Sequence, residues 1–223
     1  MITTLAPARV VHLGRVPYTP TWERMRDFTT QRTADSQDEI WLLEHDAVYT
    51  LGLAGDPRHL LNPAGTPVVK TDRGGQVTWH GPGQLLAYVM LDLRRLGLGP
   101  RELVRTLEEA IIQTLRHFGV AGARRARAPG VYVGEAKIAA LGLRIRGGSS
   151  YHGLALNVNP DLGAFAGINP CGYEGLAVTS LAALGQARTP AEVGPVLVAA
   201  LQDGFYGDAA RRIMNPTPIP PAG

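Results

Sequence analysis

The sequence predicts an α+β domain, and three observations predict it. Short apolar runs of strand length are mixed with a few stretches of helical spacing. Three strand-like segments follow one another between residues 131 and 158, separated only by Gly, Ser and Arg clusters. The regular βαβ alternation that builds a doubly wound sheet is missing. A chain of 223 residues suffices for one sizeable core, so residues 1–223 read as a single domain, with a proline-rich tail at about 215–223 that has no core of its own.

Segment 22–30 is predicted to be a helix because Trp22, Met25 and Phe28 share a face. EIWLLEH at 39–45 is an apolar run suited to a buried strand, and QLLAYVMLDL from Gln84 to Leu93 is another. From Pro100 to Phe118, Leu103, Leu107, Ala110, Ile111, Leu115 and Phe118 recur at helical spacing, with Pro100 in the first turn and Gly119 as the stop. VYV at 131–133, KIAALGLRI at 137–145 and YHGLALNV at 151–158 read as sequential antiparallel strands. A last helix runs from Pro190 to about Phe205, capped by Thr189 and burying Val193, Leu197, Ala200 and Leu201, although Gly194 and Pro195 disfavour its interior.

Composition excludes several function classes. No apolar stretch reaches the roughly 18 to 20 residues of a membrane-spanning helix. The start carries no basic stretch followed by a long apolar run, so no signal peptide is read and the cytoplasm is the expected location. A net charge of +3 is too mild to imply nucleic acid, and favours an acidic partner without identifying one. The six histidines form no close ligand pair, so no catalytic metal is expected. A single cysteine, Cys171, leaves either an inert buried thiol or a nucleophile. The only lysines among 22 basic residues are Lys70 and Lys137, which suggests that lysine survives where arginine cannot serve. A buried lysine can shift its pKa and exchange a proton, whereas arginine stays charged.

Four segments carry candidate chemistry. In DRGGQVTWHGPGQ at 72–84 the glycines require sharp turns or close approach, either in a plain hairpin or against a ligand. There Arg73, Gln76, Thr78 and His80 alternate as if on one side of a strand, with Gly81 and Gly83 keeping the opposite approach open. Cys171 sits in NPCGYEGLAVTSL between Pro170 and Gly172, on a turn whose free N–H groups could stabilise an oxyanion. Lys137 opens an apolar strand; it either snorkels to solvent or assists a nucleophile. His152 and His80, each followed by glycine, are either ligand-site donors or satisfied structural histidines.

RGGQVTWHGPGQ, KIAALGLRI, HGLALNVN and NPCGYEGLAVTSL, in this order and spacing, resemble the lipoyl(octanoyl) transferase family of lipoate biosynthesis, over nearly two thirds of the chain from about Leu42 to about Leu181. The resemblance implies a mixed, largely antiparallel sheet packed with helices, similar to the catalytic domain of biotin and lipoate protein ligases. It implies transfer of octanoyl from octanoyl-acyl carrier protein to a lysine of lipoyl-accepting domains, in 2-oxoacid dehydrogenase complexes and the glycine cleavage H protein, with no cofactor and no metal. Cys171 would then form the acyl thioester and Lys137 would lower its pKa. Arg73, Gly74, Gly75, Gln76, Val77, Thr78, Trp79 and His80, with Ala140, Leu141, Gly142, His152, Gly153, Leu154 and Ala155, would form the substrate site. Two rival readings remain: an ATP-dependent lipoate or biotin-type protein ligase, and a noncatalytic module that binds an acidic protein through Arg124, Arg125 and Arg127. A monomer is expected.

Overall fold

A computed structural model describes residues 5–169 and 175–207, so Cys171 and the proline-rich tail lie outside the described residues. Ten strands and three α-helices follow in chain order: β1 (Arg9–Val16), α1 (Tyr18–Gln31), β2 (Glu39–His45), β3 (Val48–Leu51), β4 (Val68–Lys70), β5 (Val77–His80), β6 (Gln84–Met90), α2 (Pro100–His117), β7 (Ala123–Arg125), β8 (Ala128–Val133), β9 (Ala136–Arg146), β10 (Ser149–Asn157) and α3 (Pro190–Tyr206). Seven strands form the main sheet in the order β1-β2-β6-β10-β9-β8-β7, and β4-β3-β5 form a small one. β1 runs parallel to β2, and the other pairs of the main sheet are antiparallel. The sheet is therefore mixed and largely antiparallel.

Strand alternation divides the core. Ile40, Leu42, Leu85, Ala87, Leu154 and Leu156 point to one face and pack against Leu107, Ile111, Leu115, Val193, Leu197 and Leu201 of α2 and α3. Trp41, Leu43, Leu86, Tyr88, Tyr151 and Ala155 point to the other face, where α1 contributes Met25, flanked by Trp22 and Phe28. Tyr49, Leu51, Val77 and Trp79 of the small sheet make a third cluster with Phe165 and Ile168.

The local signals explain the helix ends. Thr189 Oγ1 accepts from Glu192 N and the Glu192 side chain accepts from Thr189 N, a capping box that starts α3. Its fifth residue, Gly194, is buried, and a Cβ there would stand 3.2 Å from Leu42, so close helix-to-sheet contact outweighs glycine's poor helix propensity. Several expected boundaries differ; β8, for one, starts at Ala128 rather than Val131. α1 starts at Tyr18, before the apolar triplet, because Pro17 supplies an extended N-cap. β6 ends at Met90; the chain then turns at Asp92, whose carboxylate accepts from the N–H groups of Arg94 and Arg95. Arg73 and Gln76 lie in the loop before β5 rather than on it, since β5 spans only Val77–His80. No helix among the described residues is long and apolar enough to cross a membrane.

Candidate active site

The register of three strands builds the floor of a pocket on the α1 side of the sheet. Ala155 pairs with Leu86 on β6 and with Ala140 on β9. One rung further along, Gly153 pairs with Tyr88 and with Gly142. Small side chains at four of these six positions leave a trough, which the residues before and along β5 wall in. The resulting pocket encloses about 530 Å³, counting its open mouth, and its lining includes Tyr18, Arg73, Gln76, Thr78, His80 and His152.

Most of the residues named from sequence meet here. Arg73, Gly75, Gln76, Val77, Thr78, His80, Ala140, Leu141, Gly142, His152, Gly153, Leu154 and Ala155 all line the pocket. Trp79 does not; strand alternation turns it into the small sheet's cluster, against Phe165 at 5.6 Å between ring centroids. Gly74 stands behind the wall, donating its N–H to Leu143 O at 2.8 Å and anchoring the loop on β9. Gly81 and Gly83 do not leave room for a ligand. A Cβ at Gly81 would enter the Trp79 ring, and Gly83, with φ +83°, abuts the backbone of Asn159 and Pro160. Sequence reasoning missed Leu86 and Tyr88, which reach the pocket through non-local strand pairing, and Tyr18, which α1 brings to it.

Arg73 is buried and fastens the wall to the small sheet. Its Nη2 donates to Thr50 O at 2.7 Å and to Gln76 O at 2.8 Å, and its Nη1 to Gly74 O at 2.9 Å. At the far end, Asp72 accepts from Trp22 Nε1 at 2.8 Å, from His152 Nε2 at 3.0 Å and from the Tyr151 hydroxyl. Burial alone would raise the Asp72 carboxyl, but these donors outweigh it and hold it well below the usual carboxylate range. Burial pushes the Tyr151 hydroxyl up to about 12, assisted by its bond to Asp72. His152 is buried in the left-handed region at φ +60°, a conformation that costs energy for a residue with a Cβ.

Two further histidines are kept neutral. Burial pushes His45 down to about 4 even though Val16 O accepts from its Nδ1; its Nε2 meets the Tyr88 hydroxyl at 2.7 Å. Burial pushes His80 down to about 3, aided by neighbouring His45, while Gln84 opposes the shift. Tyr18 stacks near-parallel to His80, with ring centroids 6.1 Å apart.

Lys137 does not snorkel. It is 5% exposed, and its Nζ donates to Pro129 O at 2.9 Å and lies 5.4 Å from the Tyr132 ring centroid. Gly130 makes this fit possible, because a Cβ there would stand 2.5 Å from Lys137 Cε. Glu108 of α2 holds this stretch of β8 by accepting from Gly130 N at 3.0 Å. The β8–β9 register shifts between Val131 and Tyr132, so Ile138 and Ala139 both face α2 and α3. Lys137 and Ala140, on either side of that irregularity, thereby fall on the pocket face. Segment 175–180 docks on the same strand end: Lys137 N donates to Ala177 O at 2.8 Å, and Thr179 N to Lys137 O at 3.0 Å.

Of the three arginines of the rival module, Arg127 is exposed and the other two are engaged internally. Arg124 pairs with Glu108 and Glu109, and Arg125 pairs with Glu135 and lies over the Tyr132 ring. Lys70 is exposed on β4, away from these residues.

The family model of the lipoyl protein ligase A/B catalytic domain matches residues 17–202. An octanoyltransferase of Aromatoleum aromaticum is 60% identical over 197 residues, covering 88% of this chain and 85% of that protein. An octanoyltransferase of Pseudomonas putida is 63% identical over 169 residues, covering 76% and 79%. The chain belongs to the octanoyltransferase family, a group of acyltransferases. Solved structures extend the likeness of fold. The bi-partite lipoate protein ligase of Thermoplasma acidophilum superposes with a TM-score of 0.73 at 17% identity, covering 95% of this chain and 93% of that one. The Aquifex aeolicus biotin protein ligase in complex with biotin and ATP gives 0.57 at 10% identity, covering 94% and 73%.

Proposed function

We propose that this octanoyltransferase takes octanoyl from octanoyl-acyl carrier protein, holds it as a thioester on Cys171, and delivers it to the lysine of lipoyl-accepting domains. These acceptors are the lipoyl domains of 2-oxoacid dehydrogenase complexes and the glycine cleavage H protein. The enzyme acts as a cytoplasmic monomer of one catalytic domain, without cofactor or metal.

The Cys171 thiolate attacks the carrier thioester carbonyl, the carrier's C–S bond breaks, and the carrier leaves as a thiolate that takes up the proton Cys171 gave up. The acceptor lysine amine then attacks the acyl-enzyme, the bond to Cys171 breaks, and the proton the amine loses passes to the departing Cys171 sulfur. The first exchange replaces one thioester by another at little free-energy cost, and the second forms a more stable amide, so two easier steps replace one. Lys137 either favours the thiolate as a neighbouring ammonium or takes the thiol proton as a free amine. The second role needs a lysine, since an arginine stays protonated and could supply only the charge. The acyl chain lies over Ala140, Gly142, Gly153 and Ala155, where burial contributes about 0.8 kcal/mol per methylene.

One observation carries this reading. Buried Lys137 stands on the pocket face of β9, bonded through its backbone to Ala177 in the segment that follows Cys171. The test offers the pure enzyme a lipoyl domain and octanoyl-acyl carrier protein without ATP. Octanoyl-lysine should appear; acylation only from free octanoate with ATP would identify a ligase instead.

A further inference from the structure

A line of buried hydrogen bonds crosses the Lys137 end of the trough. His80 Nδ1 lies 2.6 Å from Gln84 Oε1, Gln84 Nε2 donates to Asn157 Oδ1 at 2.9 Å, and Asn157 Nδ2 donates to Thr179 O at 3.0 Å. From Thr179 the line continues through the paired backbone bonds to Lys137. Gln84 and Asn157 face each other across β6 and β10, one rung beyond the Leu86–Ala155 pair, and are 2% and 4% exposed.

The direction of this line is fixed by its end. A backbone carbonyl only accepts, so the amide nitrogen of Asn157 must meet Thr179, and its oxygen is left for the amide nitrogen of Gln84. Gln84 then offers His80 an oxygen, and His80 must carry its proton on Nδ1. His80 Nε2 is left without a proton. It has no hydrogen-bond partner among the described residues, it is not among the polar atoms sealed from solvent, and its ring lines the pocket. Its lone pair is therefore reached from the pocket.

We infer that Gln84 and Asn157 are positioning residues for acyl transfer. They fix segment 177–179 and the Lys137 strand end against the trough, and they hold His80 with a bare Nε2 that accepts a hydrogen bond from an incoming amine. The inference rests on the proposed role of Lys137 in transfer. Paired apolar residues would join the two strands without burying two amides, so a purely structural role leaves the choice of Gln and Asn unexplained.

Asn157→Asp tests the loop end of the line. The carboxylate still accepts from Gln84 but turns an acceptor toward Thr179 O. Transfer to the lipoyl domain should fall on the order of 10²-fold in kcat, as expected for a displacement of about 1 Å, with the donor KM little changed. Gln84→Met tests the other end by releasing His80 from its Nδ1–H form. Nitrogen-15 NMR reads that proton directly: on Nδ1 in the wild-type enzyme and in Asn157→Asp, and shared with Nε2 in Gln84→Met. Wild-type kcat in Asn157→Asp, or a wild-type His80 protonated on Nε2, would overturn the inference. Should Asn157→Asp fail to fold, the wild-type and Gln84→Met spectra, together with Gln84→Met turnover, still decide. A wild-type enzyme with His80 protonated on Nδ1 but no octanoyl transfer would instead count against the proposed function.

Discussion

The two faces of the main sheet are made by alternate residues of the same strands, yet they are built on different plans. On the α2–α3 face, Leu154 and Leu156 of β10 and Leu85 and Ala87 of β6 meet two helices and close completely. On the opposite face, Ala155 and Gly153 meet Leu86 and Tyr88, and beyond α1 the cover passes to a loop and a small sheet fastened by Arg73. Large aliphatic side chains under helices make a dry core, whereas small ones under a polar wall make a trough. A one-residue step along β10 therefore separates stability from chemistry.

The sharpest break in that comparison is expected at Lys137. Lys137→Arg keeps a cation but loses ready proton exchange and the fit beside Gly130, so steady-state octanoyl transfer should drop by about 10² to 10⁴ while the circular dichroism spectrum is kept. Near wild-type turnover would mean that lysine supplies charge alone. The adjacent pair Ala155 and Leu156 then separates the two faces. Leu156→Ala should cost about 2–5 kcal/mol in denaturant unfolding, with turnover per folded molecule retained. Ala155→Leu should leave a folded enzyme that loses octanoyl transfer more than transfer from a short-chain donor. Equal loss with both donors would remove the trough as the acyl site.

A smaller effect concerns pH. His45 and His80 titrate near 4 and 3 in the folded chain, against an ordinary value of 6.5. Between those values the unfolded chain binds protons that the folded one does not, so stability is full above about pH 6.5 and is lost as pH falls toward 4 and 3. His45→Gln should flatten that slope in unfolding midpoints measured between pH 7 and 5; an unchanged slope would place the titration elsewhere. The smallest change should come from the helix face: Thr189→Ala removes the capping box for about 1 kcal/mol and leaves transfer untouched.

Much of this plan was legible in the sequence because it is periodic. The apolar spacing of α2, the capping residue of α3 and the run of β2 are local signals, and all three stand where the pattern put them. β1 was not, since RVVHLGRV has no clean alternation and contains Gly14 where its register shifts. β4 and β7 are only three residues long. In the candidate site, the small residues of β9 and β10 could be named from their motifs, but Tyr88 depends on pairing between distant strands and Tyr18 on how α1 packs over the sheet. Gln84 opens an otherwise apolar β6 and Asn157 follows the apolar run Leu154–Leu156, and that contrast was the available signal. Cys171 lies outside the described residues, so its pairing with Lys137 is a matter for chemistry.

Intact mass measurement of that cysteine is the most direct test. After incubation with octanoyl-acyl carrier protein and no ATP or acceptor, the wild-type chain should gain one octanoyl group, labile to hydroxylamine, and Cys171→Ser should gain none. An unmodified wild-type chain, or an adduct that persists in Cys171→Ser, would contradict the account.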